Sequence, residues 1–587
     1  MWPFNRGYPI RTIESIANQS FDYIVVGGGT AGCALAARLS EDPSITVLLL
    51  ERGPVVDTFA SKVPLTSFDF RLSSSPTYKW PASPLSIAPD NEPLEMVTGR
   101  LLGGSSKVNA QLYTRGIPGE YNAWSEAGRK GWSWADVEPF FKKSERTLLP
   151  SPASNRGLHG EWKTRRPSSA LFKLTHAVVK ATTALGIPYL TDFNNPDSPS
   201  VVCSRVDLTM DERGRRHSTF DAFLPRRVAS SRPNLCICTE ALVTKLDIQQ
   251  TGKGPRAVGV FFRRDSDHGE GQPMHHYRAT AVREIVLCAG AIADPQLLLL
   301  SGIGPKGHLG SHGIPLVKDL PGVGSHLQDH PSVPLVFKVP VRETLYKLQQ
   351  NKFVALTELL KFTFAGKGLF TLPCPQMFVF ASSKHLNDNS ETVLSDTSAN
   401  DAHRPDNIPD IEIMQTPCSS LVNHDIPRNQ GAASLFCAIL KPHSKGTVRL
   451  VSIDPSVRPA CDLGFLTDPR DWVIMRKALR LGLSIARKVK DDGYPLERML
   501  QPDGESDEEL DAFTRKYAQM IYHYSSTCRM APEAEDGVVD DELRVHGVHG
   551  LRVADASIFP DIPGTHTQAP TVMVAERCAD FIVKGRK

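Results

Sequence analysis

The chain is 587 residues long, 41% hydrophobic and 22% charged, with 67 Lys and Arg against 64 Asp and Glu and a net charge of +3. That length exceeds one ordinary core and predicts at least two structural domains. The near balance of charge gives no electrostatic case for nucleic acid or an anionic membrane, and the eleven cysteines include no C-x-x-C pair, so a reduced setting without metal is expected.

Residues 1–18 read as an N-terminal extension. The opening "MWPFNRGYPIRTIESIANQS" lacks the apolar core of a secretory leader, so a cytoplasmic or otherwise intracellular location is expected. "YIVV", Tyr23 to Val26, is short, apolar and β-branched, which predicts a buried parallel strand. Gly27, Gly29 and Gly32 follow at G-x-G-x-x-G spacing. In such a turn the first glycine permits the tight bend, the second lets backbone approach a pyrophosphate, and the third allows close helix–strand packing. A helix beginning near Thr30 and running to Leu39 aims free N–H groups at the anion. "ITVLLLE" makes the second strand, and Glu51, 19 residues after Gly32, can accept from ribose hydroxyls. Arg52 stands beside that site. Strand, turn, helix, strand and terminal acid in this order predict dinucleotide binding, with FAD and NAD both open at this point.

A second glycine cluster, "TGRLLGGSSKVNAQLYTRG" (98–116), brings Gly103 and Gly104 close to something flat or anionic. Ser105, Ser106 and Asn109 supply hydrogen-bonding groups nearby. A flavin, held by edge and face, needs such a loop. Further along, "NLCICT" has strand spacing, and "RRDSDHGEGQPMHHYR" (263–278) reads as an extended hairpin tip whose histidines face solvent. "IVLCAGAIADPQLLLLSGIG" is the longest apolar stretch, but Asp294 and Pro295 interrupt it, so no membrane span is expected. Phe378 and Phe380 alternate along "QMFVFAS", as a pocket wall or an ordinary core would have them. The polar stretch 384–407 reads as a surface loop or disordered insert. "DIEIMQT" and "GTVRLVS" read as strands, and Trp472 to Val489 as an amphipathic helix with Trp472, Met475, Leu479 and Leu483 on its core face.

From about Phe21 to the C-terminus the chain resembles the glucose–methanol–choline (GMC) flavin oxidoreductases. The resemblance rests on the nucleotide turn, "GRLLGGSSKVNA", "LYTRGIPGEYNAW", "GAIADPQLLLLSGIGP", "LPGVGSHLQDHP" and "LRVADASIFPDIPGTHTQAPTVMVAE", in that order. It implies an α/β, Rossmann-like FAD-binding domain and an α+β substrate domain built on an antiparallel sheet. The FAD-binding domain is expected to gather residues 19–165, 216–335 and 515–587, and the substrate domain 166–215 and 336–514. By resemblance, Gly27, Gly29, Thr30, Ala31 and Gly32 hold the FAD pyrophosphate and Glu51 the ribose. Asn109, Ala110, Gln111 and Leu112 line the flavin, and Val243 lies on the strand passing the adenine. Asp555 and Ala556 lie near the ribityl chain, and Thr567 and Gln568 at the pyrimidine end. Some relatives attach FAD through a histidine just before the second glycine cluster. None occurs between residues 85 and 115, so noncovalent FAD is expected.

The resemblance also implies a catalytic pair: His523 in "IYHYSSTCRMAP" and His566 in "PGTHTQAP". An imidazole suits proton transfer near neutral pH. The implied reaction is oxidation of a small primary or secondary alcohol: His523 takes the hydroxyl proton, hydride passes to flavin N5, and oxygen or another acceptor reoxidises the flavin. Within the family the wording is closest to fungal aryl-alcohol-oxidase-like and secondary-metabolite tailoring members. A lyase or cyclase using FAD structurally and a non-catalytic flavin-binding protein are the alternatives. Two departures stand out: Ser526, where the family commonly has glycine, and "GLHGEW" (157–162), which matches its family block only in part.

Overall fold

The structure, a computed structural model, describes residues 7–65, 76–88, 90–166, 172–265, 275–387, 390, 400–419 and 430–586. The hairpin tip 266–274 and much of the expected loop 384–407 lie outside the described residues.

The first sheet grows from β1, Ser20–Val26, whose last four residues are all buried. Beside it in parallel lies β2, Val47–Leu50, with Tyr23 opposite Val47 and Val26 opposite Leu50. Leu235–Cys238 extends the parallel set beyond β2. On the other side of β1, Tyr277–Leu287 and then Leu551–Val553 continue it in parallel. A β-branched, apolar run buried on both faces is what a parallel sheet covered by helices demands. The antiparallel strands Gly254–Arg264 and Ala241–Thr251 complete the seven-stranded sheet. Phe262 opposite Tyr277 closes the base of the expected hairpin, and His275 and His276 are exposed beyond it. Helix α1, Thr30–Leu39, packs on this sheet with all its apolar residues buried.

The carboxyl ends of the parallel strands point one way. The ends of β1, β2, Tyr277–Leu287 and Leu551–Val553 place Gly27, Glu51, Ala289 and Asp555 along a single edge. That edge is where open α/β sheets bind ligands.

The second sheet has eight strands. Its centre runs antiparallel from Pro331–Val339 through Gly431–Ile439 and Ile411–Thr416 to Met377–Ala381. Ser332 to Val339, which span the expected domain boundary at 336, pair residue by residue with Ala438 to Gly431. Helix Pro469–Asp491 begins at Asp468, whose side chain caps the Arg470 N–H, and packs Met475, Leu479 and Leu483 beneath this sheet. Each such buried side chain contributes about 1.5–3 kcal/mol. "GTVRLVS" lies apart, forming only Thr447–Arg449 in a two-stranded ribbon with Ala460–Asp462.

Pro295 does not break its helix, which runs unbroken over Gly290–Leu300. Proline lacks an N–H, so the Ala291 carbonyl one turn earlier loses its helical donor. The Thr527 hydroxyl donates to that carbonyl at 2.7 Å. This contact ties the segment carrying His523 to the helix at the ligand edge. Thr527→Val should leave the buried carbonyl without a partner at a cost of about 1–3 kcal/mol. The variant is expected to melt below the parent and Thr527→Ser close to it; equal melting of all three would remove this role.

Candidate active site

The nucleotide turn is built by backbone collision. A Cβ on Gly27 would lie 2.5 Å from the Cys288 carbonyl oxygen, and one on Gly32 would lie 1.9 Å from that of Gly27. The two glycine clusters meet directly. The Gly103 N–H donates to the Gly28 carbonyl at 2.7 Å, and a Cβ on Gly104 would stand 2.6 Å from Gly29 Cα. Gly29 differs: a Cβ there meets no protein atom nearer than 3.8 Å. Protein packing therefore does not require glycine at 29, whereas a phosphate lying over the start of α1 would.

Glu51 sits beneath this turn. Its carboxylate accepts from the Gly28 N–H at 2.8 Å and the Gly53 N–H at 2.7 Å. Burial pushes its pKa up to about 7, while those two bonds pull the other way. The strand carrying Val243 starts at the same place, with the Ala241 N–H donating to the Glu51 carbonyl at 2.9 Å. Arg52 pairs with Asp265 at 2.8 Å and lies over the Tyr78 ring. Asp555 accepts from the Gly290 and Ser557 N–H groups at 2.6 and 2.8 Å. Burial and the Asp555 charge raise Asp294 well above the carboxylate range.

At the other end of the edge, Asn109 donates to the Gln568 side chain at 2.9 Å, and Gln568 donates to the Leu112 carbonyl. Arg216 clamps the carbonyl of Ser106 and the side chain of Asn109 at 2.9 and 2.8 Å. Between them Gln111 has a φ of 63° and a fully buried side chain. Among the described residues, neither its amide nitrogen nor its amide oxygen has a hydrogen-bond partner. Ala110 precedes Gln111 and Thr567 precedes Gln568 in the chain, and Ser105 accepts from the Gly99 N–H. An unpaired buried amide beside an open nucleotide cradle fits a flavin, whose ring edge offers donors and acceptors.

The histidines converge from opposite directions. Gln328 and Ser525 form a backbone bridge in both directions, which brings 328–330 against 523–525. One oxygen of Asp329 accepts from the backbone N–H of both His330 and His523, each at 2.7 Å. His566 is set by its own N–H, which donates to the Thr114 hydroxyl at 3.1 Å. The Gly564 N–H just before it donates to Glu120, which also pairs with Lys441.

The result is a row of side chains. His330 Nδ1 lies 3.0 Å from His523 Nδ1, His523 Nε2 lies 3.3 Å from His566 Nδ1, and His566 Nε2 lies 3.1 Å from Glu412 Oε1. Phe378 packs edge-on against His566, at 5.5 Å between ring centres. Phe380 stacks instead on Phe193, within the same core cluster as Phe378. Burial, then His566 and His330, push His523 well below the usual imidazole pKa. Burial lowers His330 to about 3 and raises Asp329 to about 7. Ser526, the departure from glycine, has a φ of 68° and is fully buried.

Sequence reasoning missed His330, Asp329 and Glu412. The first two lie inside the quoted block "LPGVGSHLQDHP", and Glu412 inside "DIEIMQT", where an acid in a strand whose every residue is buried was the available signal. Among the described residues, no group of three or more His, Cys, Asp or Glu side chains is arranged to hold a metal, and no helix is long and apolar enough to cross a membrane.

Two family models match the chain, both described as GMC oxidoreductase, over residues 21–332 and 442–575. Dehydrogenase str4 of Strobilurus tenacellus is 33% identical, covering 98% of this chain and 95% of that protein. The oxygen-dependent choline dehydrogenase of Burkholderia multivorans is 34% identical, covering 97% and 95%. The solved structure of an FAD-dependent oxidoreductase from Chaetomium thermophilum superposes with a TM-score of 0.83 at 27% identity, covering 96% of this chain and 99% of that one. The chain therefore belongs to the GMC oxidoreductases. It is an FAD-dependent oxidoreductase acting on CH–OH donors, with the Rossmann-like and antiparallel-sheet domains of that fold.

Glu51→Ala should weaken FAD binding. Loss of one charge-assisted hydrogen bond, worth about 1.5–3 kcal/mol, lowers affinity roughly 10- to 100-fold. The ionised carboxylate accepts from two amides and is the form that would accept from a ribose hydroxyl as well. FAD affinity of the apoprotein should therefore rise as pH climbs through about 7, and Glu51→Gln should flatten that rise. Titration of apoprotein with FAD by fluorescence quenching checks both; unchanged affinity in folded Glu51→Ala would move the ribose contact elsewhere.

Proposed function

We propose that the protein oxidises a primary or secondary alcohol to a carbonyl compound, with His523 as general base and His566 holding the reacting oxygen. The observation that carries this reading is the facing pair, His523 Nε2 and His566 Nδ1, 3.3 Å apart with Glu412 behind His566. A hydroxyl oxygen placed before both nitrogens donates its proton to one and accepts from the other.

The hydrogen-bond row admits two proton arrangements. As a carboxylate, Glu412 can only accept, so His566 Nε2 carries a proton. With neutral His566, Nδ1 must accept from His523 Nε2–H, which leaves His523 without a lone pair toward substrate. With a second proton on His566, Nδ1–H donates to His523 Nε2, a substrate oxygen entering between them takes over that donor and meets the freed Nε2 lone pair, and His523 Nδ1–H donates to His330. Only the second arrangement gives a base facing the alcohol and a donor for the developing alkoxide. Burial, then the neighbouring His566 and His330, keep His523 unprotonated, the direction its pKa is shifted.

Bound FAD, held without a covalent link, supplies the two-electron acceptor for the hydrogen on carbon. His523 takes the hydroxyl proton as the C–H bond breaks and the C=O bond forms. Phe378 beside His566 gives the reacting carbon an apolar wall.

His523→Ala should slow anaerobic flavin reduction by about 10²–10⁴-fold with FAD occupancy retained. In the parent, protonation of His523 at low pH stops the reaction. The rate should therefore rise through an ionisation well below the usual imidazole value, and that limb should vanish in His523→Ala. Full-speed reduction in the loaded variant would overturn the assignment.

Glu412→Gln keeps an acceptor but removes the charge. Losing the charge-assisted part of one bond, about 1–1.5 kcal/mol, predicts roughly tenfold slower reduction. Glu412→Leu should be slower still, and rates equal to the parent would separate Glu412 from the chemistry. Acid precipitation of the yellow protein should release free FAD; flavin remaining with the polypeptide would refute noncovalent binding.

A further inference from the structure

Cys374 and Cys418 stand outside the catalytic row. They lie just beyond the adjoining ends of the paired strands Met377–Ala381 and Ile411–Thr416, whose register sets Met377 opposite Gln415 and Ala381 opposite Ile411. Continued outward by three residues on each strand, that register sets Cys374 opposite Cys418. The side chains follow the backbone, and the two sulfurs are in contact at 2.6 Å. Both residues are thiols and both are partly exposed, whereas the remaining cysteines other than Cys236 are buried.

The position has a consequence for the pocket. Cys374 is flanked by Pro373 and Pro375, which line a small cavity together with Gln376, Leu112 and Phe378. Phe378 in turn packs on His566. The Cys418 carbonyl accepts from the hydroxyls of Thr416 and Ser434, which anchors that strand end to the sheet. A covalent link between the two strand ends would fix this wall of the cavity against the sheet.

We propose that Cys374 and Cys418 are a modification site, closing to a disulfide under oxidants and reopening under dithiols. Two S–H bonds break and one S–S bond forms. With hydrogen peroxide as oxidant, the two electrons and two protons reduce one peroxide to two waters. Cross-strand neighbours already in contact need little backbone movement to reach disulfide geometry. The neighbouring Cys418 and burial hold Cys374 in its thiol form, so attack on the oxidant is slow. The pair is thus a durable brace set by prolonged oxidising conditions, and it does not depend on the alcohol-oxidation reading.

The test uses the FAD-loaded protein, reduced with dithiothreitol, freed of reductant, and exposed to hydrogen peroxide or oxidised glutathione. It is then denatured with an alkylating agent and mapped by mass spectrometry. The expected result is a Cys374–Cys418 linked peptide lighter by two hydrogens, with both residues protected from alkylation. Dithiothreitol should restore both alkylated peptides. Cys374→Ser should abolish the link, and Cys418→Ser should leave Cys374 as an alkylated thiol or a glutathione adduct. Complete alkylation of both cysteines in oxidised parent protein would overturn the proposal, as would over-oxidation of Cys374 beside a Cys418 thiol. The parent map decides by itself if a variant fails to fold.

Discussion

One oxygen of Asp329 holds the reactive end of this molecule together. It accepts the backbone N–H of His330, at the start of the substrate sheet, and that of His523, nearly two hundred residues later in the chain, both at 2.7 Å. Two backbone donors on one buried acceptor leave little freedom in where the two imidazoles stand. They meet through their Nδ1 atoms at 3.0 Å, and this turns His523 Nε2 toward His566. The cost is a carboxyl group so desolvated that its pKa rises to about 7, the kind of local penalty that folded proteins carry at functional sites.

The ligand edge depends on a different constraint, close backbone approach. Gly27, Gly32 and Gly104 are places where protein atoms leave no space for a side chain. Gly29 is where they do leave space, and Gln111 is where buried polar atoms find no partner among the described residues. The first group explains why the two glycine clusters lock together, and the second explains what they lock around. The Thr527 hydroxyl, filling the carbonyl that Pro295 frees, joins this edge to the histidine segment. A proline inside a helix thereby serves as a docking point.

Much of the cofactor side is legible in the sequence because its signals are local. A β-branched run, three spaced glycines and an acid at the end of the next strand sit within about thirty residues, and each has a steric or electrostatic cause. The histidine pair is legible only through motif resemblance, since an isolated histidine carries no spacing signal. Glu412, Asp329 and His330 were hidden because their roles arise from tertiary juxtaposition. Glu412 reaches His566 across 154 positions, and nothing in "DIEIMQT" says which face of the strand meets another segment. The partner of Arg52 was hidden in the same way: Asp265, distant in sequence, engages its side chain. Likewise "GTVRLVS" has strand chemistry, yet strand propensity alone does not choose a partner, and it pairs outside the main sheet.

The proposed reaction rests on one proton arrangement: His566 protonated on both nitrogens against Glu412, and His523 carrying its proton on Nδ1 with Nε2 unprotonated and accepting from His566. Nitrogen NMR of the FAD-loaded protein labelled with ¹⁵N-histidine reads this directly, with His523→Ala and His566→Asn used to assign the signals. The account predicts two protonated nitrogens for His566 and an unprotonated Nε2 for His523 at neutral pH. A neutral His566 accepting from a protonated His523 Nε2 would contradict it.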